Sequence, residues 1–169
     1  MALERLDASW RRRYVEQATT GHGADDSSCI FCALAEAPMD EASGVVDRDA
    51  SSFVVLNAFP YGSGHVLVLP RRHVAGIEEL DDSESAALWR ATTRALRAVT
   101  AAYRPDGANL GANLGRAAGA GIPGHLHLHV LPRWGGDTNF MTSVAETRVL
   151  PESLAVSFAK LRGAYEALD

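Results

Sequence analysis

The segment HLHLHVLP, residues 125–132, alternates histidine with apolar residues and constrains the fold more than any other part of the chain. Successive side chains of a β-strand point to opposite faces. A strand here therefore carries His125, His127 and His129 on one face and three aliphatic side chains on the other. Buried imidazoles each need a hydrogen-bond or metal partner. The pattern predicts a strand whose aliphatic face enters the core while its histidine face forms a functional site.

The glycine-rich loop before this strand indicates what the histidines act on. It runs from Asn113 to Gly124 and has four glycines in its last ten residues, so backbone N–H groups can approach an anion closely. A neutral imidazole, whose unperturbed pKa is about 6.5, is a nucleophile for phosphorus near neutral pH. A second imidazole, His129, can bind the phosphoryl oxygens or assist the leaving group. A solvated histidine-rich edge and a purely metal-binding face remain alternative interpretations.

The bulk properties predict one globular domain in the cytoplasm. The 169 residues are enough for a single buried core, and the net charge of −5 gives no general attraction to nucleic acid. No apolar run reaches the roughly 18–20 residues that span a bilayer. The first residues carry positive charge without the apolar stretch of a signal peptide. We expect neither a membrane nor a nucleic acid as a partner.

Hydrophobic periodicity predicts five strands and three helices. The central helix begins at Asp81, where Glu84 three residues later completes a capping box, and Trp89 and Val99 belong to its apolar stripe. Pro151 opens the last helix. A polar connection at 20–28 follows the predicted N-terminal helix. The predicted helices cover residues 6–19, 81–103 and 151–168, and the strands cover 44–48, 53–57, 65–70, 108–113 and 125–132.

Taken together, these motifs resemble the histidine triad superfamily. The match includes HLHLHVL at 125–131, GHVLVLP at 64–70 and FVVLN at 53–57, so the similarity covers roughly residues 29–142. It implies an α+β fold with a five-stranded antiparallel sheet, a packed central helix and a C-terminal helix, assembled as a homodimer. Residues 1–28 are then an N-terminal helix and flexible segment, 29–142 the histidine triad domain, and 143–169 a C-terminal extension with a helix.

The resemblance also implies roles for individual residues. His127 is implied to be the nucleophile that becomes nucleotidylated, and His129 to be its catalytic partner. The other implied contacts are with the base, the ribose and the phosphates; they involve Phe31, Asn57, and the group His65, Asn113, Gly119, Ala120, Gly121 and His129, respectively. For Phe31 an ordinary core position remains open, and for Asn57 a turn-capping role.

The run PRWGGDTNFM at 132–141 is similar to the bacterial branch that includes diadenosine tetraphosphate phosphorylases. The resemblance implies cleavage at the α-phosphate of a (di)nucleoside polyphosphate such as diadenosine tetraphosphate, through a nucleotidyl-histidine intermediate. Ala120 and Gly121 stand where many hydrolytic members carry Gln, Ser or Thr, which leaves water and phosphate both open as the acceptor. Alternatives are a nucleoside phosphoramidate hydrolase, a biosynthetic transferase, and a nucleotide-binding or interaction module with little turnover.

Cys29 and Cys32 form a CxxC motif with the spacing of structural zinc sites. Two free thiols in a reducing compartment are the alternative interpretation. Similarity to the zinc-carrying members of the superfamily implies that His73 and His125 complete a structural site with the two cysteines. The sequence leaves open whether Arg71, Arg72 and Arg133 hold distal phosphates or face solvent.

Overall fold

The computed structural model of the protein describes residues 29–137 and 152–168. The predicted N-terminal helix at 6–19, the polar connection at 20–28 and Pro151 lie outside the described residues. Within the two described ranges, no helix combines the length and the apolar character needed to cross a membrane.

The described strands form one antiparallel sheet, as the alternating patterns predict. They are β1 (Val45–Arg48), β2 (Ser52–Leu56), β3 (Val66–Pro70), β4 (Gly107–Ala112) and β5 (Leu128–Arg133). Their order in the sheet is β1-β2-β3-β5-β4, and each neighbouring pair is antiparallel. The five-stranded antiparallel fold expected from the sequence is therefore confirmed.

The histidine-bearing strand is shorter than the predicted span 125–132. Its pairing with β3 begins where Leu128 lies opposite Val68, and the preceding Leu126 donates its N–H to the carbonyl of Val74 at 2.6 Å. His125, at a bend, and His127 thus precede the paired strand, whereas His129 lies within it. The alternation still holds, because the three aliphatic residues of this segment lie in the main core cluster.

The central helix α2 (Asp82–Tyr103) packs on this aliphatic face. Its capping box is confirmed: Asp81 accepts from the Glu84 N–H at 2.8 Å, and the Glu84 carboxylate accepts from the Asp81 N–H at 3.0 Å. The predicted apolar stripe is partly wrong. Trp89 is 61% exposed, and the buried face consists mainly of small residues that let the helix approach the sheet closely: Ala87, Leu88, Ala91, Thr92, Ala95, Ala98 and Val99.

The described residues contain two further α-helices and two short 3₁₀ helices, Ile77–Glu79 and Arg116–Ala118. The short helix α1 (Ile30–Glu36), which the periodicity does not predict, covers the opposite face of the sheet through Phe31 and Ala35. The C-terminal helix α3 (Leu154–Glu166) begins after Ser153, whose hydroxyl caps the Val156 N–H. Its Leu161 and Tyr165 join the main core beside α2, so this helix closes the aliphatic side of the sheet while the histidines lie on the other.

Candidate functional site

His65 and His129 form a hydrogen-bonded pair at the centre of the histidine face. Leu67 of β3 lies opposite His129 of β5, which brings His65, just before β3, to 2.9 Å between its Nε2 and His129 Nδ1. His65 Nδ1 accepts from the Tyr61 N–H at 3.1 Å. A backbone N–H can only donate, so the proton of a neutral His65 is on Nε2 and is donated to His129.

This direction of donation determines the state of His129. Its Nδ1 accepts from His65, so a neutral His129 carries its own proton on Nε2. That Nε2 is buried and has no hydrogen-bond partner in the described part of the chain. A buried donor without a partner is costly unless a bound group satisfies it. The pair therefore presents one N–H donor that a phosphoryl oxygen can accept.

His127 presents a lone pair instead of a donor. Its Nδ1 lies 2.8 Å from the carbonyl oxygen of His125, and since a carbonyl only accepts, the proton is on Nδ1 and the lone pair is on Nε2. The ring centroids of His127 and His129 are 5.3 Å apart. A ring with an unprotonated nitrogen and a ring with an N–H donor thus lie side by side on the same face of the sheet.

Burial keeps both rings neutral at physiological pH. It lowers the pKa of His127 below the ordinary 6.5, an effect that the hydrogen bond to the His125 carbonyl only partly offsets. Burial, together with repulsion from the neighbouring His127, lowers the pKa of His129 to about 4. Because desolvation penalises the charged form of an imidazole, His127 is neutral at pH 7 and its Nε2 carries no proton.

Phe31 and Asn57 each have structural contacts at the site. Phe31 is buried in a second core cluster, which lies between α1 and the histidine side of the sheet, and its ring centroid lies 5.4 Å from that of His127. The Asn57 Oδ1 accepts from the Phe59 N–H at 2.9 Å, and its Nδ2 lies 3.3 Å from His65 Nδ1. Asn57 therefore caps its own turn and orients His65, which is the turn-capping role that the sequence left open.

The glycine-rich loop folds into a compact turn before the histidine segment. Gly119 has a φ of +90°, and its N–H donates to the Arg116 carbonyl, while the Ala120 N–H donates to that of Gly115. These two N–H groups are thus used inside the loop. The N–H of Gly121 makes no hydrogen bond to any described residue, and Asn113 lies half-buried at the start of the loop.

Cys29, Cys32, His73 and His125 converge at the end of the histidine face that precedes β5. Their ligand atoms all lie within 4.8 Å of one another. His125 donates from Nε2 to the Pro70 carbonyl at 2.9 Å, which leaves its Nδ1 lone pair 3.4 Å from Cys29 Sγ and 3.6 Å from Cys32 Sγ. His73 also presents Nδ1, 3.3 Å from Cys32 Sγ. Two thiolates and two imidazoles are a donor set that suits tetrahedral zinc.

The arginines whose role the sequence left open are paired with carboxylates. Arg71 contacts Glu36, and Arg72 contacts Glu84, each at 2.7 Å. Arg133 makes a two-point contact with Asp137 and also donates to Asn109. In the structure the three guanidinium groups thus contact acidic side chains at the surface.

One residue of the site, Tyr61, has no counterpart among the sequence-predicted residues. Its N–H fixes the tautomer of His65, and its ring stacks on His129 with centroids 5.9 Å apart and an interplanar angle of 15°. A backbone donor leaves no mark in a residue pattern. The only sequence signal is the short spacing from Asn57 to His65, which requires the loop between β2 and β3 to fold back on the second histidine.

Comparisons with a family model and with curated proteins both identify relatives of the same family. A family model described as the HIT domain matches residues 40–136. An AP-4-A phosphorylase from Mycobacterium tuberculosis is 40% identical over 154 residues, which cover 90% of this chain and 79% of that protein.

Two solved structures share the fold over most of the chain. A Zn-bound histidine triad family protein from Mycobacterium smegmatis has a TM-score of 0.68 and 30% identity, and the match covers 86% of this chain and 98% of that one. A hypothetical histidine triad nucleotide-binding protein from Sulfolobus tokodaii has a TM-score of 0.67 and 27% identity, covering 83% and 93%. The family match over residues 40–136 spans the five strands, the central helix and the histidines of the site, whereas Cys29, Phe31 and Cys32 precede it.

Proposed function

Since this chain belongs to the histidine triad (HIT) family of nucleotide-processing enzymes, we propose that it cleaves a dinucleoside polyphosphate such as diadenosine tetraphosphate at an α-phosphate. His127 is the nucleophile in this scheme, and inorganic phosphate is the acceptor. The observation that carries the proposal is the hydrogen bond from His127 Nδ1 to the His125 carbonyl. It leaves an unprotonated Nε2 on the face that also presents the His129 donor.

In the first step, His127 Nε2 attacks the α-phosphorus. An N–P bond forms as the P–O bond to the polyphosphate breaks, and the polyphosphate departs with the bonding electron pair. The nucleotidylated ring becomes cationic while keeping its Nδ1–H, and the His125 carbonyl stabilises that charge. His129 donates its Nε2–H to a phosphoryl oxygen or to the leaving oxygen, where negative charge develops.

In the second step, an oxygen of inorganic phosphate attacks the same phosphorus. The N–P bond breaks and His127 regains its Nε2 lone pair, so one difficult displacement is divided into two easier ones. With diadenosine tetraphosphate, ATP leaves first and ADP forms second. Support for phosphate over water as the acceptor comes from the 40% identical AP-4-A phosphorylase.

Nucleotide contacts in this proposal follow the residues around the two histidines. Phe31 lies against His127 and contributes an apolar surface for the base. Asn57 contacts a ribose hydroxyl while it orients His65, and Asn113 and the Gly121 N–H contact phosphate oxygens. Gly119 and Ala120 shape the loop that presents this donor, because their own N–H groups bond within the loop.

Product analysis distinguishes the possible reactions. Diadenosine tetraphosphate incubated with phosphate is expected to give ADP and ATP; AMP and ATP would indicate hydrolysis. Binding without any product would support a nucleotide-binding module and contradict the proposal. A His127→Asn variant removes the nucleophile but keeps a side chain of similar polarity, so it is expected to bind nucleotide and to lose turnover by several orders of magnitude. Retained turnover in this variant would exclude His127 as the nucleophile.

We also propose that Cys29, Cys32, His73 and His125 hold a structural zinc ion. The chemistry of the donor set and the convergence of its four ligand atoms support this assignment, as does the relative from M. smegmatis, which is Zn-bound. The ion would join α1 to the segment that precedes β5 and neutralise two thiolates. The Pro70 carbonyl, which accepts from His125 Nε2, orients that ligand from behind.

A homodimer is the proposed assembly, with β4 as the contact strand. β4 forms an edge of the sheet, and all six of its residues are exposed. They include the apolar Leu110, which is 45% exposed. An exposed edge strand with unpaired backbone groups is a template for pairing with a second chain. Light scattering after size-exclusion chromatography is expected to give the mass of a dimer, and Leu110→Lys to shift it toward the monomer. A monomeric parent protein would contradict this assembly.

A further inference from the structure

The turn that carries His65 rests on the ring of Tyr103. Gly64, which directly precedes His65, has a φ of +73°, and a Cβ added there would lie 2.5 Å from Tyr103 Cε2. Backbone and ring are therefore in direct contact. Tyr103 is the last residue of α2, and its ring also meets Trp134 edge-on, with centroids 6.2 Å apart. Since Trp134 follows β5, this one ring contacts the flanks of both segments that carry the His65–His129 pair.

The ring of Tyr103 is itself fixed by the C-terminal helix. Its hydroxyl donates to Glu152 Oε1 at 2.5 Å, and the same oxygen accepts from the Ser157 hydroxyl at 2.7 Å. Lys160 bonds to the other carboxylate oxygen of Glu152 and lies 5.1 Å from the centroid of the Tyr103 ring. Two contacts with Tyr103 thus tie this part of the chain to the end of α2, and the hydrogen bonds of Ser157 and Lys160 hold Glu152 in place on α3.

A cavity borders the other side of this turn. A cavity of about 170 Å³ lies between the β2–β3 loop and the start of α3, and Gly62, Gly64 and His65 line one side of it while Glu152 and Ser157 line the other. A segment beside a cavity lacks packing contacts on that side. Among the described residues, its position therefore depends on the Tyr103 contact, on the stacking of Tyr61 on His129 and on hydrogen bonds such as the one from the Tyr61 N–H to His65.

We propose that Glu152 and Tyr103 are positioning residues, which hold the Gly64 turn and through it the His65–His129 hydrogen bond in the geometry that phosphate chemistry requires. This inference rests on the proposed function, in which His129 donates to the reacting phosphate. Neither residue touches the substrate. They act by keeping His65 Nε2 within 2.9 Å of His129 Nδ1, which in turn fixes the proton of His129 on the nitrogen that faces the site.

Histidine side-chain ¹⁵N spectra test the proposal, because they distinguish the Nδ1–H tautomer from the Nε2–H tautomer. In the parent protein, His65 and His129 are expected as Nε2–H tautomers. Tyr103→Phe, which removes only the hydroxyl, and Glu152→Ala are expected to move both signals toward averaged tautomers. Glu152→Gln keeps an oxygen acceptor for Tyr103 and is expected to restore the parent signals.

The matched control is Glu166→Ala. It removes the Arg162–Glu166 ion pair from the same helix, away from Tyr103, and is expected to change neither the spectra nor the turnover. In the same samples, Tyr103→Phe and Glu152→Ala are expected to lower kcat about ten-fold at unchanged KM, within the roughly 100-fold that a ~1 Å misplacement can cause.

Histidine signals of Tyr103→Phe and Glu152→Ala that match those of Glu166→Ala would overturn the inference. So would equal losses of turnover in Glu152→Ala and Glu166→Ala. If the parent protein has no activity on nucleotides, the proposed function fails, and the ¹⁵N signals still decide whether Glu152 and Tyr103 position the pair. If Glu152→Ala does not fold, Tyr103→Phe provides the decisive comparison.

Discussion

Three glycine-to-alanine variants separate backbone strain from steric clash at the turn that carries His65. At Gly163, inside α3, an added Cβ meets nothing within 4 Å, so alanine should raise the free energy of unfolding by about 0.5–1 kcal/mol. At Gly136, φ is +78° and an added Cβ would meet nothing within 4 Å, so alanine should lower the free energy of unfolding by about 1–2 kcal/mol through backbone strain alone. At Gly64, φ is +73° and the Cβ would meet Tyr103 at 2.5 Å. Similar strain plus overpacking should therefore lower the free energy of unfolding by about 2–5 kcal/mol.

Urea unfolding with linear extrapolation measures all three differences on the same scale. Gly163→Ala is expected to be the most stable protein, followed by the parent protein, then Gly136→Ala, and Gly64→Ala is expected to be the least stable. The difference between the last two isolates the contact with Tyr103, because both glycines have similar positive φ values. A Gly64→Ala variant as stable as Gly136→Ala would refute the close packing of this turn against the ring, and with it the physical basis for positioning His65.

Three other measurements test separate parts of the structure. Replacing Cys29 and Cys32 together with serine should abolish the roughly one equivalent of zinc expected by metal analysis for a single four-ligand site; no zinc in the parent protein would exclude the site. Between pH 6.5, the ordinary pKa of histidine, and about 4, the pKa of His129 in the folded chain, the unfolded chain binds a proton that the folded chain does not. The free energy of unfolding should therefore fall as the pH is lowered through this window, by about 1–2 kcal/mol after allowance for the partial exposure of the ring, and less in a His129→Asn variant. Tyr165→Phe removes a buried hydroxyl that has no hydrogen-bond partner in the described ranges and should raise the free energy of unfolding by about 1 kcal/mol in urea titrations; a loss of stability would show that the hydroxyl is satisfied.

Local patterns predict those parts of the fold in which each residue's role depends on its close neighbours in the sequence. The alternation around His127 correctly assigns the faces of the segment, because the two-residue period of extended backbone is independent of tertiary context. Asp81 and Glu84 correctly predict the start of the central helix, since a capping box involves only four residues. Cys29 and Cys32 lie beside His73 and His125 as expected, although that grouping came from a family resemblance and not from spacing.

Features that depend on tertiary contacts could not be predicted in this way. The helix at Ile30–Glu36 has only seven residues, too few to establish a periodic pattern. The periodicity places Trp89 in the buried stripe because it is large and apolar, yet the close approach of the helix to the sheet selects alanines there. The donor that fixes His65 is the backbone of Tyr61, and the contact between Gly64 and Tyr103 joins residues far apart in the chain. Neither has a signature in residue order.

Trapping the covalent intermediate tests the central claim most directly. The protein is mixed with diadenosine tetraphosphate in the absence of phosphate, quenched rapidly under alkaline conditions that preserve N–P bonds, and digested for mass spectrometry. We expect one nucleotidyl group on the peptide that contains His127, and its loss when phosphate is added before quenching. Turnover without an adduct in the parent protein, or an adduct on a different residue, would contradict a reaction that proceeds through His127.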